Sequence, residues 1–151
     1  RTLARTTLTP GARILVRTMV ANGAYTALVS GGFRHFTAPI AARAGFDEDV
    51  ANVLEIRAGA LSGCLEEPIL DRDGKLATLK RLMSERDLTP ADVLAVGDGA
   101  NDLAMLEAAG LGIAFHARPV VSQAIRDRID HGDLTALLFL QGYRRRDFVE
   151  D

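Results

Sequence analysis

The 151-residue sequence is 48% hydrophobic and 25% charged, a composition that excludes a disordered chain and leaves enough apolar mass for one buried core. A net charge of −2 gives no electrostatic reason to bind nucleic acid or an anionic membrane, and no apolar run reaches the ~20 residues needed to cross a bilayer. The lone cysteine, Cys64, excludes an internal disulfide and a cysteine-rich zinc site, and Arg1–Thr7 lacks the apolar region of a secretory signal, so a cytoplasmic location is expected.

The chain starts on polar residues without an initiating methionine, and is expected to be part of a longer protein. Thr9-Pro10 reads as a helix start, with threonine at the N-cap and proline at the first helical position. Ile14, Leu15, Thr18 and Met19 follow at helical spacing, and Asn22-Gly23 is the stop. Ala24–Ser30 is an apolar strand of the kind covered on both faces. Gly31-Gly32 is expected to turn the chain into a helix over Phe33–Ala44, which Pro39 should kink or divide and Gly45 should end. Ala51–Arg57 and Leu61–Glu67 read as the strands of a hairpin about Ala58-Gly59-Ala60. Asp71–Gly74 reads as a turn, and Lys75–Arg86 as a helix with Leu76, Leu79, Leu82 and Met83 on one face. The apolar strand Val93–Val96 leads into Gly97-Asp98-Gly99-Ala100-Asn101-Asp102, and a helix over Ala100–Ala109 leads out. The strand Leu111–Phe115, a short helix Val120–Arg126, a small strand Arg128–Asp130 and a helix Leu134–Leu140 complete the chain. Strands alternating with helices predict an α/β fold with a doubly wound, mainly parallel sheet and a small β-hairpin excursion.

Asp98 and Asp102 stand four residues apart across a strand-to-helix turn, at the sheet edge where open α/β folds hold ligands. Such oxygen donors suit a hard cation such as Mg²⁺; the same pattern also fits a glycine-rich turn whose Asp102 complements a helix N-terminus. Ser30 before Gly31-Gly32 offers a hydroxyl and backbone N–H groups to an anion, or is simply a small-residue turn. As a nucleophile it lacks a Gly-x-Ser-x-Gly elbow and an evident histidine–acid pair. Lys75 is either a phosphate partner or a solvated residue near a helix start. His35, His116 and His131 match no metal-ligand spacing and read as structural, and Arg144-Arg145-Arg146 as a solvated chain end. The joint order of hydroxyl, lysine and carboxylate cluster, carried to one edge by parallel strands, suits phosphoryl transfer.

Val29-Ser30-Gly31-Gly32-Phe33, Lys75 and Val96-Gly97-Asp98-Gly99-Ala100-Asn101-Asp102 resemble motifs two, three and four of the haloacid dehalogenase-like phosphatases, and within them the phosphoserine phosphatase subfamily. The similarity extends through Gly45-Phe46-Asp47, Ala51-Asn52, Met105–Gly110, Ile113–Ala117 and His131–Leu138. The resemblance implies that Ser30 and the Gly31 amide hold phosphoryl oxygens and that Lys75 neutralises the phosphate and the nucleophile. It further implies that Asp98 ligates Mg²⁺, that Asn101 contacts phosphate or substrate, and that Asp102 supports the metal's water and the lysine. The implied reaction is Mg²⁺-dependent hydrolysis of the small phosphomonoester L-phosphoserine to serine and phosphate through an aspartyl-phosphate.

The family's first motif, Asp-x-Asp-x-(Thr/Val), which carries the nucleophile, is absent. Asp47-Glu48-Asp49 and Asp71-Arg72-Asp73 have the spacing but follow no apolar strand. The helical cap is missing as well, so residues 1–8 are expected to be its end and 1–151 a single, incomplete core domain, inactive alone. The family's first strand lies between those represented by Ala24–Ser30 and Val93–Gly97. Their inner edges are therefore expected to pair directly or to swap strands in a homodimer. Two other functions stay open: a non-catalytic Mg²⁺- or phosphate-binding fragment, and a related phosphatase for another small phosphomonoester.

Overall fold

A computed structural model describes residues 6–150. In chain order the elements are α1 (Ala12–Ala21), β1 (Ala27–Phe33), α2 (Arg34–Ala44), β2 (Glu48–Asn52), β3 (Leu54–Arg57), β4 (Ala60–Leu65), α3 (Arg72–Glu85), β5 (Leu94–Gly97), α4 (Leu103–Ala108), β6 (Leu111–Phe115), α5 (Pro119–Ala124), β7 (Asp127–Ile129) and α6 (Ala136–Leu140). The expected α/β class is present, its parallel pairing divided over separate sheets: β1-β2 and β5-β6-β7 are parallel, and β3-β4 is an antiparallel hairpin. The chain forms two compact units, one reaching to Glu66 and resuming at Gly132, the other spanning Glu67–His131. Of the residues expected to end a cap, 1–5 lie outside those described. Among the described residues no helix is long and apolar enough to cross a membrane.

In the first unit α1 starts two residues later than Thr9-Pro10 predicts, with Gly11 rather than Thr9 at its N-cap. A tertiary contact overrides the local cap signal. The Leu134 N–H donates to the Pro10 carbonyl at 3.1 Å, and a Cβ on Gly11 would lie 2.8 Å from the Thr135 nitrogen. The stop at Asn22 is as expected, its side-chain amide donating to the Thr18 carbonyl at 2.7 Å. Val16, Ala41, Ala44, Leu137 and Leu138 are buried in this unit, each large aliphatic side chain contributing about 1.5–3 kcal/mol relative to exposure.

β1 does not turn at Gly31-Gly32; it runs on to Phe33. Its register with β2 slips there: Ser30 pairs with Ala51 and Phe33 with the next residue, Asn52, so Gly31 and Gly32 form a bulge. α2 continues through Pro39 as one helix. The strand expected over Ala51–Arg57 is two strands in different sheets, β2 ending at Asn52 and β3 starting at Leu54. Its polar start hid β2, and that start is tied by carboxylates instead. Asp47 accepts from the Thr26 N–H (2.8 Å) and hydroxyl (2.9 Å), and Asp49 from the Thr37 hydroxyl (3.0 Å). The hairpin turn is Ala58-Gly59, both at positive φ (50° and 78°), as a two-residue turn matched to strand twist requires.

In the second unit, the ladders from Leu94↔Leu111 to Gly97↔Ala114 and from Ile113↔Asp127 to Phe115↔Ile129 bring the C-terminal ends of β5, β6 and β7 to one edge. α3 begins three residues before the expected Lys75, because Asp71 is its N-cap and accepts from the Gly74 N–H at 2.9 Å. The expected turn Asp71–Gly74 is therefore that helix's cap and first turn, and Lys75 sits one turn inside. The helix expected over Ala100–Ala109 divides into a 3₁₀ turn, Ala100–Asp102, and α4. Leu79, Ala95, Met105, Leu106, Ala114, Val121 and Ile125 form the core between helices and sheet. Backbone packing is close where α4 returns to β6. A Cβ on Gly112 would lie 2.1 Å from the Leu106 carbonyl oxygen, and one on Gly110 2.2 Å from that of Pro90.

Candidate active site

The loop leaving β5 in the second unit is built around one carboxylate. Asp102 Oδ1 lies 2.6 Å from Lys75 Nζ, and its Oδ2 accepts from the Asp98 and Gly99 N–H groups, both at 3.1 Å. The Asp102 N–H closes the turn onto the Gly99 carbonyl at 2.9 Å. Lys75 and Asp102 are 6% and 4% exposed. A buried ion pair is tolerable when further hydrogen bonds serve the carboxylate, and the two loop amides do so. Gly97 is glycine because Asp102 lies against it: a Cβ there would be 2.5 Å from the Asp102 Cβ and 2.6 Å from its Cγ.

The same contacts fix the backbone of Asp98, whose carbonyl also accepts from the Arg118 N–H at 3.0 Å. The Asp98 carboxylate and the Asn101 amide are exposed and make no hydrogen bond or ion pair among the described residues. A hard oxygen donor is thereby presented open at the C-terminal edge of a parallel sheet, beside a pinned ammonium group. No group of three or more His, Cys, Asp or Glu side chains that could hold a metal ion gathers among the described residues.

Ser30 and Gly31 belong to the first unit. Ser30 Oγ accepts from the Gly32 N–H at 3.1 Å, and both glycines are exposed. Asn52 is buried and donates from Nδ2 to the Gly31 carbonyl at 2.9 Å. Sequence reasoning gave Asn52 no role; the signal available was an amide residue in a strand otherwise heading for burial. The structure thus brings Lys75, Asp98 and Asp102 together within one unit, and Ser30, Gly31 and the unforeseen Asn52 within the other.

Other candidates find ordinary partners. His116 adopts φ 44°, donates its N–H to Ile129 and stacks on Phe115 with ring centroids 4.1 Å apart. His35 meets Phe36 edge-on. The Asp-x-Asp pair at 47/49 sits at the start of β2 and the pair at 71/73 at the start of α3, neither at the C-terminal end of a strand, with Asp47, Asp49 and Asp71 engaged by Thr26, Thr37 and Gly74. Arg144, Arg145 and Arg146 are exposed.

The sequence matches the haloacid dehalogenase-like hydrolase family over residues 1–107. A phosphoserine phosphatase of Streptomyces coelicolor is 43% identical over 140 residues, covering 93% of this chain and 34% of that protein. A solved probable phosphoserine phosphatase of Vibrio cholerae, in unliganded form, matches with TM-score 0.86 and 33% identity over 93% of this chain and 43% of that one. A phosphoserine phosphatase solved as a phospho-aspartyl intermediate analogue matches with TM-score 0.82 and 34% identity over 91% and 66% of the two chains. The chain spans 34% of the length of the Streptomyces relative.

Proposed function

Since this chain belongs to the haloacid dehalogenase-like hydrolase family, we propose that it supplies the phosphate- and metal-binding core of a phosphoserine phosphatase acting in the cytosol. The observation that carries this reading is the Lys75–Asp102–Asp98 arrangement, a buried ion pair whose second carboxylate oxygen holds the loop that leaves the Asp98 carboxylate open. Lys75 spends one N–H on Asp102 and has others for a phosphoryl oxygen. Fixed in place, it neutralises charge without reorganising as the reaction proceeds. Ser30 already accepts from Gly32, which leaves its hydroxyl proton to donate to an oxyanion, with the Gly31 amide beside it. Asn101 adds an exposed amide for phosphate or substrate. Asp98 would hold Mg²⁺, which when bound supplies charge neutralisation at the phosphoryl oxygens.

The attacking group in this reading is an aspartate outside these 151 residues, since no Asp-x-Asp closes an apolar strand in the sequence. Its attack on phosphorus breaks the bond to the serine oxygen, so that serine leaves, protonated, as the aspartyl-phosphate forms; water then hydrolyses the aspartyl-phosphate, releasing phosphate and restoring the carboxylate. The test joins this chain to the part of the Streptomyces coelicolor relative that precedes the matched region and follows phosphate release. The fusion is expected to hydrolyse L-phosphoserine only with Mg²⁺, and the 151-residue chain alone to release nothing. Release by the chain alone would place the nucleophile within it. A folded, inactive fusion that still binds Mg²⁺ and phosphate would favour the non-catalytic binding role, and activity confined to other phosphomonoesters the related-phosphatase one.

A further inference from the structure

We propose that Asn52 is a positioning residue for the phosphate-binding segment: it holds the Gly31–Gly32 peptide in the one orientation that leaves the Ser30 hydroxyl free to donate. The inference rests on the reading of Ser30 and Gly31 as phosphate-binding groups. Gly31 C=O and Gly32 N–H are the two ends of a single peptide plane, and the structure ties both. The carbonyl accepts from Asn52 Nδ2 at 2.9 Å, and the N–H donates to Ser30 Oγ at 3.1 Å.

Two successive glycines resist rotation of the peptide between them poorly, having no Cβ to oppose it. The β-ladder gives little help, because its register slips between Ser30 and Phe33, where the bulge interrupts the pairing. Asn52 supplies the missing restraint. It is 5% exposed, pairs in register with Phe33 at the far side of the bulge, and reaches back to Gly31. Rotating the peptide would leave the Asn52 donor buried without this acceptor, an unfavourable exchange. It would also withdraw the Gly32 N–H from Ser30 Oγ, and a serine oxygen without that donor is free to turn its proton inward. Asn52 therefore acts on phosphate through Ser30, without touching it.

The experiment titrates the isotopically labelled chain with inorganic phosphate and follows the Gly31 and Gly32 amide resonances. Asn52→Asp keeps the side-chain shape but turns an acceptor toward the Gly31 carbonyl; Asn52→Leu keeps the branching and the number of heavy atoms with no donor, and serves if the aspartate variant does not fold. Either variant is expected to shift the Gly32 amide and speed its hydrogen exchange while leaving Leu28 and Val29 unmoved, and to raise the phosphate Kd about tenfold, the factor that 1.4 kcal/mol represents. Ser30→Ala, which tests the underlying reading, is expected to weaken phosphate as well. If Ser30→Ala weakens phosphate while the Asn52 variants bind like wild type, the positioning role is overturned and the phosphate site stands. If Ser30→Ala binds like wild type, or the wild-type Gly31 amide does not respond, the phosphate reading fails and the positioning role falls with it.

Discussion

Replacing Asp102 with alanine removes the acceptor of three donors at once: the Lys75 ammonium and the N–H groups of Asp98 and Gly99. Lys75 is left charged at 6% exposure, and losing one partner of a buried pair costs about 3–5 kcal/mol. Replacing Lys75 with methionine is the gentler cut, because the stranded carboxylate keeps its two amide donors. Since a hydrogen bond to a charged group contributes about 1.5–3 kcal/mol, the aspartate variant should be the less stable by at least the worth of one such bond, about 1.5 kcal/mol. A domain near the middle of the ordinary range, about 10 kcal/mol, survives either loss. With a urea slope of about 2 kcal/mol per molar, a 4 kcal/mol loss lowers the midpoint by about 2 M. Urea unfolding of both single variants and of the Lys75→Met/Asp102→Ala double variant measures the difference and the coupling. The double variant should recover part of the loss, since a buried pair exchanged for apolar groups is often near neutral. Equal costs for the two single variants would refute the view that Asp102 anchors the loop as well as the lysine.

Gly97→Ala should destabilise the chain by about 1–3 kcal/mol, because the new methyl sits 2.5 Å from the Asp102 Cβ; thermal unfolding indistinguishable from wild type would show that the loop yields without strain. Asp98→Asn should leave unfolding within about 0.5 kcal/mol of wild type, as an exposed change does, yet abolish Mg²⁺-dependent phosphate release in the fusion; retained release would remove Asp98 from metal binding. Asp133 is held below the ordinary carboxylate value of 3.8 by the Thr135 hydroxyl and N–H, which donate to it. A lowered folded pKa stabilises in full above the unfolded value and is lost as pH falls through the folded one. The gap in urea midpoint between wild type and Asp133→Ala should therefore be constant near neutrality and shrink below pH 3.8; a gap unchanged in acid would show that the carboxylate's charge contributes nothing.

The loop after β5 could be read from sequence because an apolar strand, framing glycines and two carboxylates all lie within ten residues. Lys75 was legible as a candidate, and the resemblance tied Asp102 to it; that the pair is buried, 27 positions apart in sequence, was not legible. Helix starts were misplaced for two opposite reasons. Asp71 signals a turn and a cap equally well, and at Thr9 a strong local cap lost to the packing of Gly11 against residues 134 and 135. The Gly31-Gly32 bulge was read as a turn because glycine pairs mark both, and the deciding partner, β2, is too polar to announce itself as a strand. Asn52 is named within the resemblance but given no role, for a related reason: it donates to a main-chain carbonyl, which leaves no trace in the identity of residue 31.

Gly110 and Gly112 bear on how tolerance to mutation should be interpreted in this chain. They follow α4, whereas Asp98 and Asp102 precede it, and neither offers a group to any ligand. Yet a side chain at Gly112 meets the Leu106 carbonyl at 2.1 Å, so the helix that continues from Asp102 cannot keep its seat on β6 if that glycine changes. A saturation library of the fusion scored only for activity would rank these glycines beside the aspartates and present two kinds of necessity as one. Scored for soluble yield as well, it would separate them, with the glycines lost from both scores and the exposed Asp98 from activity alone.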